Sequence, residues 1–367
     1  MSENNNLEKD LRILRDKIDK IDDSIIDLLN KRGKLVIDIG NLKQKLNLKV
    51  SQSQREKEII ERLKNKATVF KNGSIDAIWK EIMSASKLIQ GDINKVGYLG
   101  PEGTFTHQAA LEYFPKAGSE FKTFNSTSEI FESIEKDIIE FGVIPIENSL
   151  QGTVRETLDL LIEKNLTIYG EVELRIIQNL ISLEKSDLSM IKNIISHPQA
   201  FAQTRSWLKK YLPNVNVINV NSTAEAVHRV NELNDKSYAA IGTEFASKRY
   251  NLKVLNSKIE DNPSNYTRFL IISKKENKLK APKVKTSIVF VTKHVPGALY
   301  RVLKIFADAG INLMKIESRP RRKGRWEYIF LMDFEGNSED TKIKEVLNEM
   351  NEIVIWYKLL GSYPIFK

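Results

Sequence analysis

No cysteine occurs among the 367 residues. Disulfides and thiolate catalysis are excluded, and a reducing compartment suits the chain. Histidine is scarce: His107, His197, His228 and His294 are the only four, and no HExxH or paired-His spacing joins them. This argues against a zinc enzyme, and no metal or cofactor is expected. No apolar run is long enough to cross a bilayer, and the polar N-terminus lacks a signal peptide's apolar core. A cytoplasmic protein without a membrane partner is the expectation. Acidic residues are outnumbered, 48 against 57 basic ones, for a net charge of +9. That raises nucleic-acid binding as a first suspicion. The lysines, however, are spread along the chain near acids, with no zinc-finger or base-stacking motif. A Lys-rich solvated surface is the better reading, so no nucleic-acid partner is expected. The excess still suits gathering acidic metabolites.

With 41% hydrophobic and 29% charged residues, the chain can build two to four soluble domains. Three segments differ in periodicity. Residues 1–92 read as helix only. Residues 95–274 alternate short apolar runs with amphipathic helices, and residues 285–367 repeat that on a smaller scale. The joints are Gly91-Asp92-Ile93-Asn94 and the charged stretch Lys274 to Lys283, which contains Pro282.

In the first segment Leu11, Leu14, Ile18, Ile21, Ile25, Leu28, Leu35, Ile39, Leu42 and Leu46 follow the alternating 3,4 spacing of a helical seam. Arg32 interrupts it. A guanidinium there cannot lose its proton and needs an anion, from a buried carboxylate or an acidic ligand. The first helix, from about Leu7 to about Leu46, would be roughly 60 Å long and needs helical neighbours. A second spans about Gln52 to Asn65 and a third about Ser74 to Gln90, with Gly73 and Ser74 as stop and N-cap. Arg32 and Lys43 lie within about 20° of one face; Arg15 points roughly 100° away and suits a site in another subunit. Gln52, Arg55 and Glu56 share a face, as do Ser86 and Gln90. These groups either cage a small dianion bearing a hydroxyl or are solvated surface charges.

Leu14-Arg15-Asp16-Lys17-Ile18, Lys31-Arg32, Gly40-x-x-Lys43, Arg55-Glu56 and Ser86-x-x-x-Gln90 resemble the all-helical chorismate mutase family. The resemblance implies a three-helix chain intertwined as a dimer, each site borrowing Arg15 from the partner. In its pericyclic reaction no proton moves, so catalysis is positioning and electrostatics. By resemblance, Arg15 and Arg32 grip the two carboxylates, and Lys43 and Gln90 donate to the ether oxygen. Glu56 accepts from the ring hydroxyl, Ser86 assists a carboxylate, and Arg55 orders the loop or hydroxyl. Gln52 departs from the aspartate frequent in the family.

Four clusters mark the middle segment. The first, Val96 to Thr106, reads as strand, glycine turn and helix start, where backbone N–H groups face outward. The others are Phe141-Gly142-Val143-Ile144-Pro145-Ile146 running into Glu147-Asn148-Ser149, then Ser196-His197-Pro198-Gln199 through Gln203, then Asn265-Tyr266-Thr267-Arg268-Phe269. Each alone could be caps and turns. Together they stand at strand–loop junctions, where open α/β sheets place ligands. His197 reads as a structural hydrogen-bonder. GYLGPEGTFTHQAA, VIPIENSLQGTV, SHPQAFAQ and NYTRF are similar, in order, to the signatures of prephenate dehydratase. That resemblance implies two α/β subdomains like those of periplasmic binding proteins, with the site in the cleft. Prephenate would lose its ring hydroxyl and CO2 to give phenylpyruvate. Thr267 would polarise or protonate the hydroxyl within a hydrogen-bonded network, with Glu147 as the alternative proton source if burial raises its pKa. Asn148, Ser149 and Gln203 would orient substrate. Arg268 would bind a carboxylate or brace the Thr267 strand.

The last segment reads strand, helix, strand, strand, helix, strand, the βαββαβ order of the ferredoxin-like plan. Gly297-Ala298-Leu299, Glu317-Ser318-Arg319-Pro320 and Trp326-Glu327-Tyr328 resemble the effector motifs of phenylalanine-sensing ACT domains. The resemblance implies paired domains binding phenylalanine between subunits and shifting a conformational equilibrium. A truncation ending near Lys283 is then expected to lose phenylalanine sensitivity.

The expected protein is thus multidomain: an all-α three-helix domain, an α/β two-subdomain domain and an α+β ferredoxin-like domain. It would convert chorismate to prephenate and prephenate to phenylpyruvate, as a homodimer, with a tetramer also open. One rival is a monofunctional dehydratase whose helical domain only senses ligand, with Gln52 as its hint. Another is a non-catalytic, amino-acid-responsive binding protein on the periplasmic-binding scaffold.

Overall fold

The computed structural model describes residues 2–45, 53–91, 93–278, 281, 283–320 and 328–365. Leu46, Gln52, Trp326 and Glu327 lie outside the described residues. The chain divides into two compact units, Met1–Ile93 with Pro115–Ser119, and Asn94–Phe114 with Glu120–Lys367.

The first unit holds α1 (Ser2–Lys45), α2 (Ser53–Lys64) and α3 (Asn72–Ile89). Both α1 and α2 pack on α3. Lys64 on α2 joins Asp76 on α3 at 3.0 Å. The start of α3 corrects the expectation of a Gly73 stop and a Ser74 cap. The helix begins at Asn72, with Lys71 as an extended N-cap that makes no side-chain bond. Gly73 therefore sits in the first turn, where N–H groups lack intrahelical acceptors and a weak helix former costs little. Gly91, at φ +76°, adopts the left-handed conformation that follows a helix end.

The second unit begins with a lobe containing β1 (Asn94–Leu99), α4 (Phe105–Tyr113), β2 (Ser119–Phe124), α5 (Thr127–Glu135), β3 (Phe141–Asn148), β4 (Gly152–Thr153), α6 (Arg155–Glu163) and β5 (Thr167–Arg175). A second lobe follows: β6 (Asn179–Ser182), β7 (Asn193–Ser196), α7 (Pro198–Gln203), α8 (Arg205–Tyr211), β8 (Asn216–Asn219), α9 (Thr223–Leu233), β9 (Tyr238–Gly242), α10 (Glu244–Arg249) and β10 (Lys253–Asn256). The chain then returns to the first lobe as β11 (Tyr266–Ser273). The sheets run β2-β1-β3-β11-β5, with β4 beside β3, and β10-β6-β9-β7-β8. Two crossings join the lobes and bond to each other: Ile176 N donates to Asn265 O at 2.8 Å, and Ile259 N to Gln178 O at 2.9 Å.

A bulge decides which side chains leave the central sheet. β11 pairs Thr267 with Asn148 and Arg268 with Glu147, then skips Ile146 to pair Phe269 with Pro145. Beyond the skip, Leu270 and Ile144 enter the core shared with α5 and α6, whereas Ile271 and Val143 enter the core beneath α4. The extra residue reverses the alternation, so Thr267 and Asn148 share one face while Arg268 and Glu147 share the other.

The last elements are β12 (Val284–Thr292), α11 (Ala298–Asp308), β13 (Leu313–Pro320), β14 (Tyr328–Glu335), α12 (Thr341–Ile353) and β15 (Val354–Pro364). They form one sheet in the order β13-β14-β12-β15, antiparallel throughout. From Ile288 to Val291, β12 is apolar on both faces because both are covered. Ile288 and Phe290 pack under α11 and α12, while Val289 and Val291 join the core of the first lobe.

Candidate active sites and effector cavity

In the helical unit the structure unites part of the predicted cage. Arg32 donates to Ser86 Oγ across α1 and α3, and burial lowers the Arg32 pKa without threatening its charge. Gln90 Nε2 donates to Val36 O at 2.8 Å. Gly40 permits that approach, since a Cβ there would stand 3.2 Å from Gln90 Cγ. Glu56 is held by Lys87 at 2.8 Å, a partner that the sequence reading did not single out. Lys43 is half-buried on α1. Arg55 is exposed and pairs with Glu58 at 3.2 Å, and Arg15 is exposed on α1.

In the two-lobed part, Thr267 and Asn148 meet as expected. Asn148 Nδ2 lies 2.9 Å from Thr267 Oγ1, 2.8 Å from Asn265 Oδ1 and 3.1 Å from Tyr266 O. Its Oδ1 accepts from Leu150 N and Gln151 N at 3.0 and 3.2 Å. Asn148 is thus buried and oriented from both ends. Ser149 Oγ accepts from Tyr266 N at 2.9 Å and donates to Ser264 O at 3.0 Å, which fixes the strand end rather than offering the hydroxyl. Gln203 Oε1 accepts from Gln178 Nε2 at 3.0 Å. His197 caps α7 through its Nδ1, as a structural hydrogen-bonder. His107 stacks on Tyr98 at 4.3 Å and accepts from Gly103 N through Nδ1, so it holds the glycine turn. Contacts between the lobes close the cleft: Gln199 Nε2 to Gln151 Oε1 at 2.7 Å, Thr243 Oγ1 to Gly103 O at 3.1 Å, and an Arg249–Glu102 pair.

Of the alternatives left open, the geometry favours Arg268 as the brace of the Thr267 strand over Arg268 as a carboxylate ligand, and Thr267 over Glu147. Arg268 does not offer its guanidinium to a ligand. Its Nε meets Glu171 at 2.7 Å, one terminal nitrogen meets Asp333 at 2.6 Å, and the other donates to the Tyr363 hydroxyl at 2.9 Å. Burial opposes the charge, but Tyr363, Asp333 and Glu171 outweigh it and hold the Arg268 pKa well above its ordinary value. Burial likewise raises the Tyr363 phenol. Nor is Glu147 buried beside Thr267. It lies on the opposite face, one-third exposed, and its carboxylate is 2.7 Å from Lys315. The bulge in β3 turns Glu147 to that face, whereas Arg268 reaches it by the plain alternation of β11, in step with Leu270 and Ile272.

The effector residues also divide. Gly297, Ala298 and Leu299 line a cavity of about 460 Å³ with Val295, Tyr328 and Phe330. Glu317 and Arg319 do not join them. Alternation along β13 sends Lys315, Glu317 and Arg319 to Glu147, Thr153 and Asp159 of the first lobe. Ser318 and Pro320 point the other way and are exposed.

One chain thus carries a polar cluster between helices, a cleft between two lobes and a cavity at Gly297–Leu299. Three family models match in that order: Chorismate mutase type II over residues 14–91, Prephenate dehydratase over 96–277 and ACT domain over 286–352. A bifunctional chorismate mutase/prephenate dehydratase of Aquifex aeolicus (strain VF5) is 41% identical over 361 residues, covering 97% of this chain and 98% of that protein. A prephenate dehydratase of Methanocaldococcus jannaschii is 43% identical over 274 residues, 73% of this chain and 97% of that protein. The crystal structure of an Arthrobacter aurescens prephenate dehydratase in complex with L-Phe superposes with a TM-score of 0.67 at 32% identity. The match covers 74% of this chain and 90% of that one. The chain belongs to the bifunctional chorismate mutase/prephenate dehydratase family.

Proposed function

We propose that the chain, working in the cytoplasm, rearranges chorismate to prephenate in its helical domain (residues 1–92) and converts prephenate to phenylpyruvate between the two lobes (residues 95–274). Phenylalanine is the proposed inhibitor, acting through residues 285–367. The observation that carries the dehydratase reading is the Asn148–Thr267 contact at 2.9 Å, held from behind by Asn265. A threonine hydroxyl is too weak an acid to act alone, and this network aims it at a leaving hydroxide and lets it polarise that group. Aromatisation drives the rest. The two crossings between two sheets support a periplasmic-binding-like plan for the lobes, and the strand order of the last sheet supports a ferredoxin-like plan.

For the mutase step, Arg32 with Ser86 is the proposed carboxylate grip, Lys43 and Gln90 face the ether oxygen, and Glu56 takes the ring hydroxyl. Arg15 would serve the partner's site. A homodimer is supported by the α1 seam, whose residues from Leu11 to Leu42 stay 47–64% exposed in the single chain. Phenylalanine would occupy the cavity at Gly297–Leu299.

The test is chorismate consumption and phenylpyruvate formation by the purified chain, with and without phenylalanine. Both activities are expected, the second suppressed by phenylalanine. Thr267→Ala should lower dehydratase kcat by about 10²-fold or more and leave the mutase rate unchanged. An unchanged dehydratase rate in that variant would remove Thr267 from the chemistry. Prephenate turnover without chorismate turnover would favour the ligand-sensing reading of the helical domain.

A further inference from the structure

With Arg268 bound to Glu171, Asp333 and Tyr363 on the far face, the interlobe cleft needs another cation for a substrate with two carboxylates. We infer that Arg175 is that residue and that it binds the carboxylate that prephenate keeps, the one on its pyruvyl arm. This rests on the dehydratase reading above.

Arg175 ends β5 opposite Tyr266, one step along the register from the Leu174–Thr267 pair. Its side chain lines a cavity of about 270 Å³ between the start of α4, at Phe105 and Gln108, and the start of α10, at Thr243 and Phe245. The cavity therefore opens between the lobes. The Arg175 Nε is buried and has no hydrogen-bond partner among the described residues. Its ion pair with Glu260 is long, 3.4 Å from a terminal nitrogen to Oε1, and the other Glu260 oxygen accepts from Gln178 N at 3.1 Å. A guanidinium held only loosely from one side retains donors for a planar anion. Asn265 links this position to the proposed chemistry, since it accepts from Ile176 N through its carbonyl and from Asn148 through its side chain.

The choice between the two carboxylates follows from the reaction. One departs as CO2, and a cation paired with it would stabilise the ground state more than the transition state. The pyruvyl carboxylate keeps its charge throughout. Binding it lowers KM without altering the chemical step, and the product carries the same group.

The experiment uses the full chain with Arg175→Gln and Arg175→Lys, and prephenate and phenylpyruvate as ligands. Arg175→Gln should raise KM for prephenate about tenfold or more with kcat within about threefold. Inhibition by phenylpyruvate should weaken by a similar factor, Arg175→Lys should recover part of the loss, and KM for chorismate should not move. Glu260→Gln separates a structural pair from a binding role: an equal rise in KM there would overturn the proposal. So would an unchanged KM in Arg175→Gln, a fall confined to kcat, or unchanged phenylpyruvate inhibition. If the Gln variant fails to fold, the Lys variant decides, because it keeps the charge and loses the fork. Failure of the underlying reading would show separately, as no conversion of prephenate by the unsubstituted chain.

Discussion

At the scale of residues, Arg268 shows how a motif position can serve the fold beside a site rather than the site. Its side chain is 13% exposed, and those of Glu171 and Asp333 are 6% and 2% exposed. Lys285 adds a second cation at 2.8 Å from Glu171, and Ser287 bonds both Asp333 and Tyr363 at 2.5 and 2.6 Å. Such a network contributes little net stability when complete, but removing one member leaves buried charge unmatched. Arg268→Gln is therefore expected to destabilise the second unit by about 3–5 kcal/mol. Denaturant unfolding would measure this, and an unchanged midpoint would show that the carboxylates find other partners. Dehydratase activity should fall with the folded fraction, as expected of a residue that braces the Thr267 strand.

At the scale of elements, β13 is the piece whose role changes most between sequence and structure. Its charged face lies along the segment that carries Glu147 and Thr153, and Asn148 is the next residue after Glu147. Lys315 is central, 2.7 Å from Glu147 and 3.2 Å from Glu317. A shift of β13 on effector binding would therefore be felt one residue from the Asn148–Thr267 contact. Lys315→Ala should raise the phenylalanine concentration for half-inhibition at least about fivefold with little change in uninhibited turnover. An unaltered inhibition curve would exclude this contact as the link. The elements themselves were largely legible. The 3,4 seam marked α1, short apolar runs marked the strands, and the clusters of the middle segment do stand at strand–loop junctions. The bulge was not legible, because an extra residue leaves no mark on composition. Plain alternation from Phe141 would have put Glu147 with Val143 on the α4 side, and skipping Ile146 puts Asn148 there instead. Arg268's partners were equally hidden: Asp333 and Tyr363 are 65 and 95 residues away in sequence, so no local pattern joins them. The Lys87–Glu56 pair spans 31 residues and needed the packing of α2 on α3 to appear.

At the scale of the whole molecule, the dehydratase lobe and the ACT sheet share a core, and this changes what a truncation can reveal. Val289, Val291, Ile329, Leu331, Leu360 and Tyr363 are at most 5% exposed, and they lie in one cluster with Phe131, Ile134, Leu158, Leu270 and Ile272 of the lobe. Ending the chain at Lys283 would uncover the lobe's half of that cluster and strip Arg268 of Asp333 and Tyr363 together. Exposed apolar area on this scale costs stability roughly in proportion to its extent, and it promotes association. The truncated chain is therefore expected to aggregate, or to unfold at a midpoint lower by roughly 10 °C or more. Loss of phenylalanine sensitivity in it would reflect this damage as much as a lost effector site. Calorimetric titration of phenylalanine into the full chain avoids the difficulty, and a substitution inside the cavity localises the result. Gly297 stands at φ +75° with open space beside it, apart from the Arg301 guanidinium at 3.5 Å, so Gly297→Ala strains the turn without filling the core. Weakened phenylalanine binding in Gly297→Ala, with normal thermal unfolding, would place the effector in the cavity. A truncation that unfolds cooperatively at the full-length midpoint would instead mean that the shared core adds little, and that the ACT sheet is a separable regulator.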